Sequence, residues 1–289
     1  MAFIIHGATG AQGAPLLARL ARSGQQVVAA VRHPSAVPAA AGISAVAVDM
    51  ASADSLEAVY QGADGVFIHL PLADEAVRLQ YAHHITQAIG RARPQRVVIS
   101  AGGAVVDAPG SPLQAPADGA VATLIRGVQA TGVSLAVVAP RVFLENLLLP
   151  VVLDAVRADG MLRYPLRADC AVSWCSHQDV ADAAARLLLD SAITGVVGVG
   201  QLPGLAGPDL AAGFAQHLGR PVVFESLAPA AFGDLLKPLL GEGAAAGVVA
   251  FYQALAQAPC HVIASETSAQ QLLGLQPRSL PQWLAEMGV

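Results

Sequence analysis

The segment GATGAQG, with Gly7, Gly10 and Gly13 directly behind the apolar run Ala2-Phe3-Ile4-Ile5, restricts the fold more than any other feature of this chain. An apolar run, three closely spaced glycines and a stretch with Leu16, Leu17 and Leu20 on one face predict a strand, a tight turn and a helix from about Gln12 to Arg22. A second strand, Gln26 to Val31, follows at the spacing of a βαβ unit. Glycine lets backbone approach a pyrophosphate, and the free N–H groups and positive dipole end of the helix attract its charge. Gly7, Thr9, Gly10, Ala11, Gln12 and Gly13 are therefore the expected dinucleotide contacts, although a strand-to-helix turn without a ligand would also select glycine.

The alternation continues along the chain. Ser44 to Val48 reads as a strand, Ser52 to Tyr60 as a helix, Gly65 to His69 as a strand and Asp74 to Arg91 as a long helix. Gln95 to Ser100 follows as a near-continuous apolar strand, Asp118 to Thr131 as a helix ended by Gly132, and Val133 to Ala139 as a sixth strand before Pro140. Apolar strands separated by helices mean a parallel sheet covered on both faces, so the expected class is α/β, a doubly wound Rossmann sheet with a small C-terminal substrate lobe. The expected division is a nucleotide-binding domain over residues 1–150 and a C-terminal part over 151–289, mostly lobe, with some elements returning to the sheet. A helix from Asp179 to Leu189 and a helical region around Phe232 to Leu240 fall in that second part.

The second strand ends in Val31-Arg32-His33-Pro34, where a chain selecting NAD would present an acidic residue to the ribose 2′-hydroxyl. A guanidinium at Arg32 suits a 2′-phosphate instead, with His33 as a further contact, and the expected cofactor is NADPH. The bland alternative is that Arg32 is a solvated strand-end residue.

Only 13% of residues are charged, and the mean hydropathy is +0.54, so membrane insertion must be weighed. The longest uncharged stretches, Ser191 to Pro208 and Gly243 to Ser265, are broken by Gly, Pro, Gln or His and do not sustain a span. No cationic leader precedes the first strand, and a cytoplasmic protein is expected. A net charge of −5 with dispersed arginines argues against nucleic acid. Cys170, Cys175 and Cys260 have neither the number nor the spacing of a disulfide framework or a zinc site, so no metal is expected.

With these elements in place, GATGAQG, VRHP at Val31 to Pro34, VDMASADSLEAVYQGADGVFIHLP at Val48 to Pro71 and APRVFLEN at Ala139 to Asn146 resemble the NmrA-like group of atypical short-chain dehydrogenases/reductases, over most of the chain. That group includes NADPH-dependent quinone reductases and redox-sensing regulators. The resemblance implies that Thr9, Gly10, Gln12 and Gly13 hold pyrophosphate and that Arg32 meets the 2′-phosphate. It also implies that Asp49 and Met50 lie near the adenine and that His69, Leu70 and Pro71 run along the cofactor. Where family patterns often have Leu-Arg-Pro-Gly, this chain has Val138-Ala139-Pro140-Arg141, which implies a different pocket wall.

The Tyr-x-x-x-Lys pair of ordinary short-chain dehydrogenases is missing: the only lysine is Lys237, and all four tyrosines lie outside the Asp118 to Thr131 helix. Arg126, the one cation on that helix, is a poor acid or base but a candidate phosphate or ribose contact. Quinone reduction needs no such tyrosine, because hydride transfer leaves a resonance-stabilised phenolate that water can protonate. Holding two flat rings together supplies much of the rate. Ser100, Asn146 and His177 are the candidate polar groups near a developing oxyanion, each with a local structural role as its alternative. Phe143, Tyr164, Trp174, Phe251 and Tyr252 are the candidate substrate-pocket walls, with core packing as theirs.

The expected function is NADPH-dependent reduction of a small quinone or related conjugated aromatic carbonyl. The alanine- and arginine-rich composition suggests a high-GC bacterial source, and with it a polyketide quinone reduced ahead of hydroxylation by a partner oxygenase. One alternative is a non-catalytic NADP(H) sensor that binds a regulated protein, and another is an isomerase that uses the nucleotide structurally.

Overall fold

The computed structural model describes residues 2–289. Seven strands form one parallel sheet: β1 (Phe3–His6), β2 (Val27–Val31), β3 (Ile43–Ala47), β4 (Gly65–His69), β5 (Arg96–Ser100), β6 (Ser134–Pro140) and, after three short strands, β10 (Gly195–Val199). Their order is β10-β6-β5-β4-β1-β2-β3, so the chain winds outward from β1 in one direction and then from β4 in the other. The point of reversal lies between β1 and β4, whose registers pair Phe3 with Gly65 and Ile5 with Phe67. In an open parallel sheet, that switch point leaves a crevice beyond the carboxyl ends of the strands.

Helices cover both faces because the inner strands are apolar on both sides. On one face α1 (Gly13–Arg22) and α6 (His177–Leu189) bury Leu16, Leu17, Leu20, Val180 and Leu187 against Ile5, Phe67 and Val98. On the other, α2 (Ala53–Tyr60), α3 (Glu75–Ala92) and α4 (Ala120–Ala130) pack Leu56, Tyr60, Ile85, Ile89 and Leu124 on Ile4, Val66, Ile68 and Val97. Continuous apolar side chains over a five-residue strand make each such contact worth several kilocalories per mole, at about 25 cal/mol per Å² removed from water.

The expected first six strands and the helices between them match these elements to within one or two residues at most ends. Helix α6 begins two residues earlier than Asp179. Ser176 Oγ accepts the Asp179 N–H at 3.1 Å while the Asp179 carboxylate accepts the Ser176 N–H at 2.7 Å, and this reciprocal cap fixes the start at His177.

A third core lies beyond the carboxyl edge of the sheet. It is built from β7 (Val142–Phe143), α5 (Pro150–Asp159), β8 (Met161–Tyr164), β9 (Trp174–Cys175), α7 (Gly207–Leu218), β11 (Val223–Ser226), α8 (Pro229–Leu240), α9 (Glu242–Gln257) and α11 (Leu280–Met287). Strand β7 pairs with β9 and β8 with β11, both in parallel. Short α10 (Ala269–Leu273) returns to the sheet layer beside β10. Among the described residues no helix is long and apolar enough to cross a membrane, and no three metal-ligating side chains converge.

Candidate functional site

The switch point opens into a cleft of about 590 Å³, lined along one wall by the glycine turn and along the other by Val31, Arg32, Asp49 and Met50. The turn is tight for backbone reasons. Gly7 has φ +62°, a value that disfavours any side chain, and its carbonyl accepts the Gly10 N–H at 2.8 Å. A Cβ on Gly13 would lie 2.2 Å from the Gly7 carbonyl oxygen, so helix α1 can seat against the turn only with glycine there. No side chain caps the N-terminus of α1; the Ala14 N–H is taken by the Gly10 carbonyl at 2.9 Å and Pro15 has none, so the Gly13 N–H and the helix dipole are what this end offers an anion.

Of the residues expected at the nucleotide, Gly7, Thr9, Gly10, Ala11, Gln12, Gly13, Arg32, Asp49, Met50, His69 and Pro71 all line this cleft. Arg32 is exposed at the carboxyl end of β2. His33 and Leu70 do not line it. His33 is exposed at the start of the turn Pro34–Ala36, one residue past Arg32. Leu70 is out of phase with His69 and Pro71 and enters the core beneath α3. Arg126 is also not at the cleft: its guanidinium bonds the Ala117 carbonyl and Thr123 Oγ1 at the start of its own helix.

His6 and Tyr81 line the cleft as well, and neither was expected there. His6 is the last residue of β1 and 1% exposed; its Nε2 is 2.7 Å from the buried Tyr60 hydroxyl. Burial, and then the neighbouring His69, push its pKa down to about 4. His69 is likewise held at about 4 by burial, by Arg78 and by His177. Both rings are neutral at neutral pH. A polar residue ending an otherwise apolar strand was the signal for His6.

Beside His69, the sheet register places Ser100 at the carboxyl end of β5. Ser100 Oγ donates to Gln12 Oε1 at 2.6 Å and accepts the Gly102 N–H at 3.2 Å, tying the glycine turn to β5. Gly102 (φ +63°) and Gly103 (φ +95°) then turn the chain beside two aromatic rings. A Cβ on Gly102 would sit 3.2 Å from His69 Nε2, and one on Gly103 would sit 3.9 Å from the Phe143 ring. Phe143 in turn packs against His177, with centroids 4.6 Å apart and the rings tilted by 39°.

Arg141, where the family pattern differs, is 4% exposed and forms an ion pair with Asp107 at 2.7 Å, anchoring the loop that follows Gly103. The other expected pocket residues separate by burial. Tyr164, Trp174 and Tyr252 lie in the third core, where Tyr164 packs edge-on to both other rings and its hydroxyl is 2.5 Å from that of Tyr252. Asn146, in the turn Leu144–Leu148, lies near the Tyr164 hydroxyl. Burial raises both tyrosine pKa values, so neither phenol ionises near neutrality. Phe251 is half-buried beside His261, whose pKa burial lowers to about 4.

An NmrA-like family model matches residues 2–273. No curated protein sequence gives a match. Solved structures with the same fold include triphenylmethane reductase of Citrobacter sp. complexed with NADP(H), 17% identical, with 99% of each chain covered and a TM-score of 0.83. A nucleoside-diphosphate-sugar epimerase of Staphylococcus aureus is 18% identical, covering 98% of this chain and 99% of its own, with a TM-score of 0.81. An NADPH-dependent quinone oxidoreductase of Escherichia coli complexed with NADPH is 21% identical, covering 99% of this chain and all of its own, with a TM-score of 0.74. With its seven-stranded switch-point cleft and a family match over nearly its whole length, the chain belongs to the NmrA-like family.

Proposed function

We infer that the protein is an NADPH-dependent reductase acting on a quinone or a related conjugated aromatic carbonyl. The observation that carries this reading is the pairing, across one cleft, of an uncapped helix N-terminus behind the glycine turn with an exposed arginine at the tip of β2. The first suits a pyrophosphate and the second a 2′-phosphate. The bare backbone at Gly10 and Gly13, and a volume within the usual range for small-molecule sites, fit a dinucleotide. Thr9 to Gly13 would hold the pyrophosphate, Arg32 the 2′-phosphate, Asp49 and Met50 the adenine side, and His69 and Pro71 the other half. NADPH supplies a hydride when bound. The NADP(H) and NADPH complexes of two structural neighbours support the same cofactor.

The acceptor follows from what the chain lacks. Its one lysine, Lys237, is exposed on α8 and paired with Asp234, so no lysine assists a tyrosine at the site. A carbonyl whose reduced anion is stabilised by resonance suits a site that orients flat rings and lacks the Tyr-x-x-x-Lys pair. Phe143, half-buried beside Gly103 and packed against His177, offers an aromatic surface on the β5 side of His69. Steady-state assays over a panel of quinones and conjugated aromatic carbonyls, with NADPH and NADH in parallel, test the reading. Turnover with NADPH is expected. Tight NADPH binding without turnover of any acceptor would favour the sensor instead.

A further inference from the structure

The three candidate polar groups differ in what already engages them. The Ser100 hydroxyl has donated its only proton to Gln12 and accepts from Gly102, so it is part of the frame. Asn146 lies near the Tyr164 hydroxyl, on the side of the third core. His177 remains, at the first position of α6 and packed at a tilt against Phe143. Its Nδ1 is 3.4 Å from Glu145 Oε1, and that same oxygen accepts the His177 backbone N–H at 2.9 Å. The backbone bond fixes the carboxylate to the start of the helix, and the ring is then held with Nδ1 toward it and Nε2 on the opposite edge. The second carboxylate oxygen, Oε2, is buried without a hydrogen-bond partner.

The charged and titratable groups around this ring are few. Glu145 faces it from the turn after β7, and His69 faces it from β4 with Arg78 behind. The Asp179 carboxylate, on the same helix, is committed to Ser176 and to Arg278. Burial is the larger effect and holds the His177 pKa below the usual histidine value, and Glu145 partly offsets it by favouring the imidazolium. The His177 side chain keeps 21% of its surface exposed, which leaves a route for a proton from solvent.

We propose that His177 and Glu145 form a proton-delivering pair at the acceptor end of the cleft, with His177 Nε2 as the donor and Glu145 as the residue that positions and charges it. This rests on the reductase reading above. An acceptor carbonyl that takes a hydride from NADPH, leaving NADP⁺, becomes an anion at oxygen. That oxygen takes the proton from His177 Nε2: the N–H bond breaks, the O–H bond forms, and the neutral imidazole regains a proton from water. One quinone, one NADPH and one proton thus give one hydroquinone and one NADP⁺.

The test uses His177→Gln and Glu145→Gln in the full-length protein. Glutamine at 145 can still accept the His177 N–H, so the helix start is retained. His177→Gln is expected to lower kcat on the order of a hundredfold with KM little changed, the lower end of what a positioned general acid contributes. Glu145→Gln is expected to move the alkaline limb of the kcat profile about one unit to lower pH. The NMR titration of the His177 ring, recorded on the protein without ligand, is expected to move with it. A His177→Gln enzyme within twofold of wild type overturns the donor, and an unmoved titration in Glu145→Gln overturns the pair. If the wild type reduces no acceptor at any pH, the reductase reading falls and the donor role with it, whereas the titration is read independently of turnover.

Discussion

Arg32 is the side chain proposed to set cofactor choice. It stands where β2 ends and the cleft begins, so its guanidinium can bond a 2′-phosphate bidentately, while a 2′-hydroxyl offers it no anion. Arg32→Ala is expected to weaken NADPH by roughly 1.5 to 3 kcal/mol and to leave NADH nearly unchanged, as measured by parallel titrations. Equal losses for both nucleotides would contradict the assignment. The same scale shows what a sequence conceals. Arg32 was legible as the residue that ends a strand, and His69 and Pro71 only through the family resemblance; all three line the cleft. Glu145 was not, since its importance comes from a contact with His177, which lies 32 residues away in sequence. The Gly102-Gly103 pair was visible as letters, but its meaning lies in two positive φ angles beside His69 and Phe143.

At the scale of elements, the glycine turn separates packing from binding. Gly13 is needed by the fold, because a Cβ there would collide with the Gly7 carbonyl at 2.2 Å, whereas at Gly10 the nearest atom would be 3.2 Å away. Gly13→Ala is therefore expected to lower the unfolding midpoint. Gly10→Val is expected to leave a folded protein that no longer binds NADPH by calorimetry. A folded Gly10→Val protein with unchanged affinity would remove the turn from the site. The first six strands were readable because each is an apolar run closed by a turn or a helix cap. Strand β10, Gly195–Val199, carries two glycines in five residues and no periodic signal. One of them, Gly198, is required by the approach of Ile263, whose Cβ would be 2.9 Å from an added Cβ, and that neighbour is 65 residues away in sequence. The third core was legible only as aromatic residues. Whether each ring meets a ligand or other rings depends on strand pairs β7–β9 and β8–β11, which join distant segments.

For the whole molecule, burial and function meet at the carboxyl edge of the sheet. His6, His69 and His261 are held near pKa 4, against 6.5 for a free histidine. The unfolded chain therefore takes up protons below about pH 6.5 that the folded protein refuses until about pH 4. Their contribution to stability is present above pH 6.5 and is lost as the pH falls through that window. His6, fully buried, alone accounts for on the order of 3 kcal/mol, at about 1.4 kcal/mol per unit. Urea unfolding at pH 7 and pH 5 is expected to show the loss, and equal midpoints would contradict it. The proposed function requires that a dinucleotide bound in the switch-point cleft pass its hydride to a quinone. The most direct measurement is a stopped-flow single turnover in which protein loaded with stoichiometric NADPH is mixed with a quinone and the loss of NADPH absorbance is followed. The account predicts a fast, protein-dependent decay that slows when NADPH carries deuterium at the transferred position. A decay no faster than that of free NADPH with the same quinone would contradict it.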